Sequence, residues 1–432
     1  MQRIGSRNGL KRYAKNTGWM LAEQGFRIIS GLFIGIWIAR HLGVEQFGIF
    51  SYVIAITSVL SGITNLGLHS VLTRELVKFP GLVSSYLGTA FRLKVISSAS
   101  VVVAVLGFMI SEKIERMVGY CILLILIGQV IQSVDVLGSY FLSKVEARII
   151  SLCKIIQILI SSVIKVLLII LDSDLVWFVA VLVVDSITLA ASYHIAYRAN
   201  SGGGFYSRFE SGIAIKLLKD SLPLMLGGLG FAVFSNTDII LLKNLAGSAE
   251  AGVYASAYKL MAMWYFFPGL ILSSILPALV QSQIRPNEYK IRKQMITTFL
   301  VWFAIGLATI TSLFSHHVIS FTYGSDFEEA AEILSVLIWA NVLIFFNSCW
   351  NQFQMIEEKS RFVLYFHLLV AVVNIPLNLL FISVFGLMGS AYALIGSLLL
   401  GVAIFMFLDK GAVSIAIGAL SFGRIDINVE KK

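Results

Sequence analysis

The sequence predicts an all-α polytopic membrane protein in which twelve helices cross the bilayer. Hydrophobic residues make up 58% of the 432-residue chain, charged residues make up only 13%, and the mean hydropathy is +0.87. A soluble domain carries about 25% charged residues, so too little polar surface is left here to cover a globular core. The composition therefore excludes a soluble enzyme, a disordered scaffold and a disulfide-rich secreted domain.

Twelve apolar segments, each long enough to span a hydrocarbon core as a helix, support this fold class. None has the short alternating pattern of a barrel strand. The segments are 17–39, 45–67, 87–110, 118–139, 150–171, 175–197, 218–242, 251–277, 294–315, 330–353, 362–384 and 387–409.

Lysine and arginine residues predict the orientation of these spans. With the N-terminus inside, 23 of the 33 basic residues fall in inner segments and 4 in outer loops. Because basic loops stay in the cytoplasm, both termini are predicted to be cytoplasmic. The net charge of +9 then indicates basic cytoplasmic loops, and no nucleic-acid partner is expected. The loops are too short for an added soluble domain, so any binding is expected within or between helices.

A repeated turn predicts an internal duplication. The stretch Ala39–Tyr52 follows the first span, and a similar stretch, Lys243–Ser256, follows the seventh. Gly43 corresponds to Gly247 and Gly48 to Gly252, which suits a tight helix–turn–helix. Chance similarity of two turns is the alternative. Duplication predicts two six-helix bundles around a central cavity: an N-terminal bundle at 1–197, a cytoplasmic connector at 198–217, and a C-terminal bundle with a short tail at 218–432.

Seven short runs carry a resemblance to a known family. They are Lys15–Met20, Ala39–Gly48, Asn65–Leu68, Asp238–Leu242, Gly252–Leu260, Leu276–Leu279 and Phe385–Ala393. In these runs the sequence resembles polysaccharide-biosynthesis flippases, the O-antigen or Wzx-type branch of the MATE/MOP transporter superfamily.

The resemblance implies a flippase of the bacterial inner membrane. Such a protein moves undecaprenyl-pyrophosphate-linked units of O-antigen, capsule or exopolysaccharide from the cytoplasmic to the periplasmic leaflet, by alternating access coupled to a proton or sodium gradient. It implies a lipid-linked oligosaccharide and membrane lipids as partners, with a polysaccharide polymerase and a chain-length regulator beside them. It assigns no binding residue, and no cofactor is expected.

A pyrophosphate needs a polar, cationic path through hydrocarbon, so charges inside the spans are candidate site residues. Arg27 lies mid-span with Glu23 one turn before it on the same face. The hypothesis is that Arg27 binds phosphate and Glu23 is its counter-ion; the alternative is a structural ion pair.

Two lysines complete the predicted cationic cavity. Lys165 belongs to a polar stripe of the fifth span, from which it could meet Asp185 of the antiparallel sixth span. Lys165 could therefore contact the substrate or form a structural ion pair with Asp185. Lys259 stands beside Tyr254, Tyr258 and Tyr265 in a mixed cationic and aromatic face suited to sugars; the alternative is a lysine and an aromatic belt at the membrane interface.

Carboxylates in the spans are candidates for ion coupling or counter-ions, because desolvation favours their protonation. They are Glu23, Asp135, Asp185 and Asp238. For Asp238, a helix-end residue wetted by headgroups is the favoured interpretation. Arg92 and Lys94, near the inner end of the third span, are expected to snorkel to the interface.

Span eleven carries a predicted hinge. Pro376 removes a backbone hydrogen bond, and Asn374 and Asn378 are expected to satisfy the groups it frees. A helix contact held by asparagines is the alternative.

The competing function is an ion-coupled drug or metabolite antiporter of the same superfamily. The six basic residues in the spans argue against it, since extruders of cations favour acidic cavities. An enzyme is not expected. The three cysteines lie far apart in apolar runs and fit no metal site, and no nucleotide-binding or nucleophile motif occurs.

Overall fold

The chain is built from α-helices throughout the part that can be described. The computed structural model describes residues 7–111, 115–201, 204, 208–408, 415 and 418, and no β-strand occurs in these ranges. Their sixteen helices are α1 Arg7–Thr64, α2 Leu68–Lys78, α3 Val83–Ile110, α4 Arg116–Gln132, α5 Val136–Ser143, α6 Ala147–Ile170, α7 Leu175–Ser201, α8 Ser211–Leu245, α9 Ser248–Ala262, α10 Phe266–Ser282, α11 Pro286–Leu313, α12 Ser315–Thr322, α13 Ala330–Leu337, α14 Ala340–Ile356, α15 Ser360–Phe385 and α16 Leu387–Leu408.

The membrane-spanning stretches agree with the predicted spans. Eleven helical stretches in the described ranges are long and apolar enough to cross a bilayer, and the first of them, Asn16–Lys78, has 63 residues. Sixty-three helical residues would be roughly 95 Å long, about three hydrocarbon thicknesses. This stretch therefore contains both of the first two predicted spans, and the other ten stretches correspond one to one to the remaining spans. The all-α polytopic fold class is confirmed.

The two repeated turns share an unusual backbone geometry. Gly43 interrupts α1 with φ 70° and ψ 175°, and Gly247 precedes α9 with φ 133° and ψ 174°. Residues with a Cβ atom rarely adopt a positive φ of this kind, so both positions require glycine. The predicted correspondence of Gly43 and Gly247 is therefore visible in the local geometry of each turn.

The chain divides into two compact units, Met1–Asn236 and Thr237–Lys432. The division falls inside α8, whose first turns are held by the first unit: Arg74 pairs with Asp220 at 2.5 Å, and Lys216 pairs with Glu75. The sequence-based boundaries at 197 and 218 stay a prediction. Residues 202, 203 and 205–207 of the predicted connector lie outside the described residues.

Stacked aromatic rings pack into the core of the second unit. Phe303 stacks on Phe267 with ring centroids 4.2 Å apart, and both stack against Phe345.

The turn between α14 and α15 is held by Glu357, which pairs with Lys293 at 2.9 Å and with Lys359 at 3.0 Å. Burial tends to raise the pKa of the Glu357 carboxyl, but the two ammonium groups outweigh burial and hold this pKa below its usual value.

Candidate functional site

The first polar cluster joins α1 and α6 in the first unit. The Glu23 carboxylate lies 3.4 Å from Nε of Arg27 and 4.0 Å from Nζ of Lys154. Arg27 also donates to Gln24. The Glu23 side chain is 7% exposed, whereas that of Arg27 is 52% exposed. Two cations thus share one buried carboxylate, and the guanidinium keeps free surface on which an anion could bind.

The second cluster lies further along α6. Nζ of Lys165 is 3.6 Å from the Asp185 carboxylate of α7, which confirms the predicted meeting of these two residues. Oδ1 of Asp185 is buried and has no hydrogen-bond partner among the described residues. Lys154 and Lys165 are separated by roughly 16 Å along their helix. Helix α6 therefore carries two ion pairs along its length, one to α1 and one to α7.

The third cluster corrects the expectation for Lys94. Lys94 does not snorkel: it is buried, and its Nζ lies 2.5 Å from Oδ1 of Asp135. Asp135 sits in the 3₁₀ turn Ser133–Asp135 that separates α4 from α5. The 3₁₀ turn brings the Asp135 carboxylate within reach of the Lys94 ammonium. The ammonium therefore bonds this carboxylate and not water at the membrane interface.

A cavity opens beside this pair. It has a volume of about 280 Å³, and its polar lining includes Asn65, His69 and Ser139. Oγ of Ser139 lies 3.0 Å from Nδ1 of His69. Sequence reasoning missed His69, because a single histidine at the start of the short helix α2 stands out by neither spacing nor motif.

The fourth cluster, in the second unit, corrects the interpretation of Asp238. Asp238 is not wetted by headgroups, since it is only 1% exposed. Its Oδ2 accepts a hydrogen bond of 2.8 Å from the Tyr254 hydroxyl. Its Oδ1 accepts from the side-chain amides of Asn378 at 2.6 Å and Asn374 at 3.3 Å. Three protein donors thus replace water around one buried carboxylate.

The same contacts correct the expected role of the two asparagines. Helix α15 runs unbroken past Pro376, and the asparagine amides donate to Asp238. Asn374 also donates to Oγ of Ser397 at 3.3 Å, and Asn378 to the carbonyl oxygen of Asn374 at 3.0 Å. Pro376 leaves the carbonyl oxygen of Val372 without its helical hydrogen bond. Neither asparagine side chain donates to that oxygen. The side-chain oxygens of both asparagines are buried and have no hydrogen-bond partner among the described residues.

Lys259 does not share one open face with all three tyrosines. Tyr254 is fully buried, and its hydroxyl donates to Asp238. Its ring therefore cannot belong to the predicted sugar-binding face. Tyr258 stacks on Tyr254 at 6.0 Å and meets Tyr265 edge-on at 6.5 Å. Lys259 itself is partly exposed. The tyrosines therefore form a packed column that leads to Asp238.

No group of three His, Cys, Asp or Glu side chains that could hold a metal ion occurs in the described ranges. The charged side chains of the four clusters form ion pairs and one hydrogen-bonded carboxylate. Such groups are costly in hydrocarbon and mark substrate or ion paths. A polytopic helical protein with this set of charges has the features of a membrane transporter or flippase.

Comparison with known families agrees with this class. Residues 13–283 match the model of the family described as polysaccharide biosynthesis protein, and residues 223–380 match the MatE family model. The first match covers well over half of the chain, and the protein therefore belongs to the polysaccharide biosynthesis protein family. No curated protein sequence matches significantly.

Solved structures of similar fold are transporters and flippases. A multidrug resistance MATE family transporter of the MOP superfamily, in an inward-facing conformation, has a TM-score of 0.73 at 14% identity, over 90% of this chain and 95% of that one. The lipid II flippase MurJ, in an inward closed conformation, has a TM-score of 0.60 at 15% identity, over 92% and 90%. A MOP superfamily transporter from Pyrococcus furiosus, for which a binding pocket of reverse polarity is described, has a TM-score of 0.56 at 14% identity, over 95% and 96%. Identities this low establish the shared fold alone.

Proposed function

We propose that this protein flips undecaprenyl-pyrophosphate-linked oligosaccharide units of a surface polysaccharide across the bacterial inner membrane. The units are loaded at the cytoplasmic leaflet and released at the periplasmic leaflet by alternating access. Both termini are cytoplasmic in this proposal. Membership of the polysaccharide biosynthesis family and the lipid II flippase among proteins of similar fold support a lipid-linked substrate.

The observation that carries the proposal is the surplus cation at Glu23. Arg27 and Lys154 share this one carboxylate, so the cluster has a net positive charge inside the membrane. A half-exposed guanidinium presents paired N–H donors that match phosphate oxygens. In the proposed cycle Arg27 binds the pyrophosphate, Glu23 holds the guanidinium in place when no substrate is bound, and Lys165 supplies a second cation along α6. We assign Lys259 a weaker role, since its tyrosine neighbours turn toward Asp238.

Ion coupling is assigned to the Asp238 cluster. A buried carboxylate with three hydrogen-bond donors can take up a proton or exchange those donors for a monovalent cation. Amide oxygen and nitrogen positions are assigned from the hydrogen-bond network, so rotation of the two asparagine amides would turn Asn374 Oδ1 and Asn378 Oδ1 toward a cation bound at Asp238. Oxygen ligands of this kind suit hard cations. Because α15 also contains Pro376, binding there is coupled to a helix with a built-in weak point.

A drug or metabolite antiporter is the second candidate. The MatE match to 223–380 and the similar fold of the multidrug transporter favour it. An antiporter of organic cations would not explain the cationic Glu23 cluster, because such substrates would be repelled there.

The test is deletion of the gene in its native host. We expect surface polysaccharide to disappear and lipid-linked units to accumulate in the cytoplasmic leaflet, with both effects reversed by the gene in trans. Purified protein in liposomes should then move the isolated lipid-linked unit to the opposite leaflet. Normal surface polysaccharide together with altered resistance to organic cations would overturn the flippase and select the antiporter.

A further inference from the structure

Two cavities of the first unit lie side by side, and the Lys94–Asp135 pair lines one of them. Each has a volume of about 280 Å³. They share the lining residues Asn65, Gly67 and Leu224, so they are contiguous. A cavity of about 150 Å³ holds benzene, and each of these therefore has room for a six-membered ring with its substituents.

The lining of the first cavity combines donors, acceptors and apolar surface. Its polar members are Asn65, His69, Ser70, Lys94, Asp135 and Ser139. Leu68, Leu72 and Val136 supply apolar surface between them. Lys94 and Asp135 neutralise each other at 2.5 Å, so the cavity offers a strong donor beside a strong acceptor without a net charge from this pair.

The second cavity continues the same chemistry without ionised groups. Ser58, Ser61, Asn65, Ser235 and Asn236 line it with hydroxyl and amide groups, together with the ring of Phe231. Its remaining lining includes glycine and aliphatic residues. An aromatic face among hydroxyl and amide groups can pack on the C–H surface of a ring while its hydroxyls are bonded at the edges.

A phosphate group fits this lining poorly. The Asp135 carboxylate would repel it, and Lys94 would have to leave its partner. A polyhydroxylated ring fits well, because each hydroxyl can donate to a carboxylate or amide oxygen and accept from an ammonium or amide nitrogen. We propose that the two cavities bind two consecutive sugar residues of a neutral oligosaccharide. The inference rests on the proposed function in that the sugars are taken to be those of the transported unit.

The test places a larger side chain in one of the two cavities. Gly228 lines the second cavity, and a Cβ atom added there meets nothing within 4 Å. Gly107, in α3 of the same unit, is equally open and lines neither cavity. Gly228→Leu therefore blocks the proposed sugar site, and Gly107→Leu is its matched control for the same change in a membrane helix.

The probes are free sugars and inorganic pyrophosphate, measured by saturation-transfer NMR on the full-length protein in lipid nanodiscs. The sugars are glucose, galactose, mannose, rhamnose, N-acetylglucosamine and N-acetylgalactosamine. We expect the wild type and Gly107→Leu to bind at least one sugar, and Gly228→Leu to bind it about tenfold more weakly or not at all. Binding of pyrophosphate should be the same in all three proteins and should not displace the sugar.

A second variant guards against a folding defect in Gly228→Leu. Asn65 lines both cavities and is exposed, so Asn65→Ala removes a shared hydrogen-bonding group at little cost to the fold. We expect it to weaken sugar binding by about tenfold as well, with an unchanged Tm.

Three results would overturn the sugar site: no sugar of the panel binds the wild type, both variants bind sugar as the wild type does, or pyrophosphate competes with the sugar. Failure of the flippase proposal is a separate result. In that case the wild type would bind sugars and Gly228→Leu would not, but the wild type would move no lipid-linked unit in liposomes.

Discussion

The side-chain amide of Asn378 donates a hydrogen bond of 2.6 Å to the carboxylate of Asp238, across 140 residues of sequence. Asn374, one turn earlier on α15, donates to the same oxygen. A buried carboxylate on α8 is thereby fixed to the helix that contains Pro376. Loss of the charge at Asp238 would therefore weaken two hydrogen bonds that hold α15.

Replacing Asp238 with asparagine should uncouple transport from its ion gradient. Asn keeps the shape of the side chain and one of its two acceptor oxygens, but it cannot bind a proton or a monovalent cation as a carboxylate does. The gradient should stimulate flipping by the wild type, and the variant should lose that stimulation. Flipping in liposomes with and without an imposed proton or sodium gradient measures it.

The control is Asp326→Asn, because Asp326 is exposed and lies outside the Asp238 cluster. It should keep both abundance and gradient response. An Asp238→Asn protein that is still stimulated by the gradient as strongly as the wild type would move the coupling site elsewhere.

The spans and one ion pair could be predicted from the sequence because their signals are local. Hydropathy is read over about twenty neighbouring residues, and Lys165 meets Asp185 because two consecutive helices are antiparallel neighbours. The glycines of the repeated turns are equally local, since each is required by the backbone of its own turn.

The environments of Lys94 and Asp238 could not be predicted in the same way. Their partners are 41 residues away for Lys94 and 136 or more for the asparagines at Asp238. Position along a helix indicates depth in the membrane but not which neighbouring helix supplies a partner. Both residues lie near predicted helix ends, where contact with headgroups is the usual outcome, and pairing with a distant side chain overrides it.

The Lys165–Asp185 pair separates structural from substrate roles. Lys165→Met leaves Asp185 without its ammonium partner, which should cost roughly 3–5 kcal/mol and lower the membrane abundance. Lys165→Gln with Asp185→Asn restores a neutral hydrogen-bonding pair and should recover abundance, while flipping stays low because the cation is gone. Quantitative blotting beside export of surface polysaccharide measures both. Full export in the double variant would make the pair purely structural.

Pro376→Ala should raise stability and slow transport. Proline costs about 3 kcal/mol relative to alanine inside a helix, so the variant should be at least as abundant as the wild type. A stiffer α15 should reduce the rate several-fold if the weak point serves alternating access. Pro223→Ala is the matched control, since Pro223 is also exposed and lies inside a helix, α8. Equal slowing by both variants, or by neither, would remove the special role of Pro376.

The predicted topology places Leu245 outside and residue 205 inside. Leu245 is exposed at the end of α8, whereas residue 205 lies outside the described residues. The native cysteines Cys121, Cys153 and Cys349 are buried, so they give little background. A cysteine at 245 should react with an impermeant maleimide in intact cells, and a cysteine at 205 only after permeabilisation. Reaction at 205 in intact cells would invert the topology.

Arg27 is the sharpest test of the cationic path. In Arg27→Ala the Glu23 carboxylate keeps Lys154 at 4.0 Å, so the protein should remain abundant, and loss of export would then report on the arginine itself. Arg27→Lys should restore export only in part, because an ammonium keeps the charge without the paired donors. Arg116→Ala, which removes an exposed arginine at the start of α4, controls for the change in charge and should export normally.

The double variant Glu23→Gln with Arg27→Gln decides between binding and structure at this site. A hydrogen-bonded neutral pair can replace the ion pair in packing. Lys154 then loses its carboxylate partner, so the cluster keeps one positive charge but loses the paired N–H donors of the guanidinium. If Arg27 binds substrate, membrane abundance should match the wild type while surface polysaccharide stays absent. If Arg27 serves only to pair Glu23, both abundance and export should match the wild type. Export at the wild-type level would remove Arg27 from the binding site, and the cationic path would then rest on Lys154, Lys165 and Lys259.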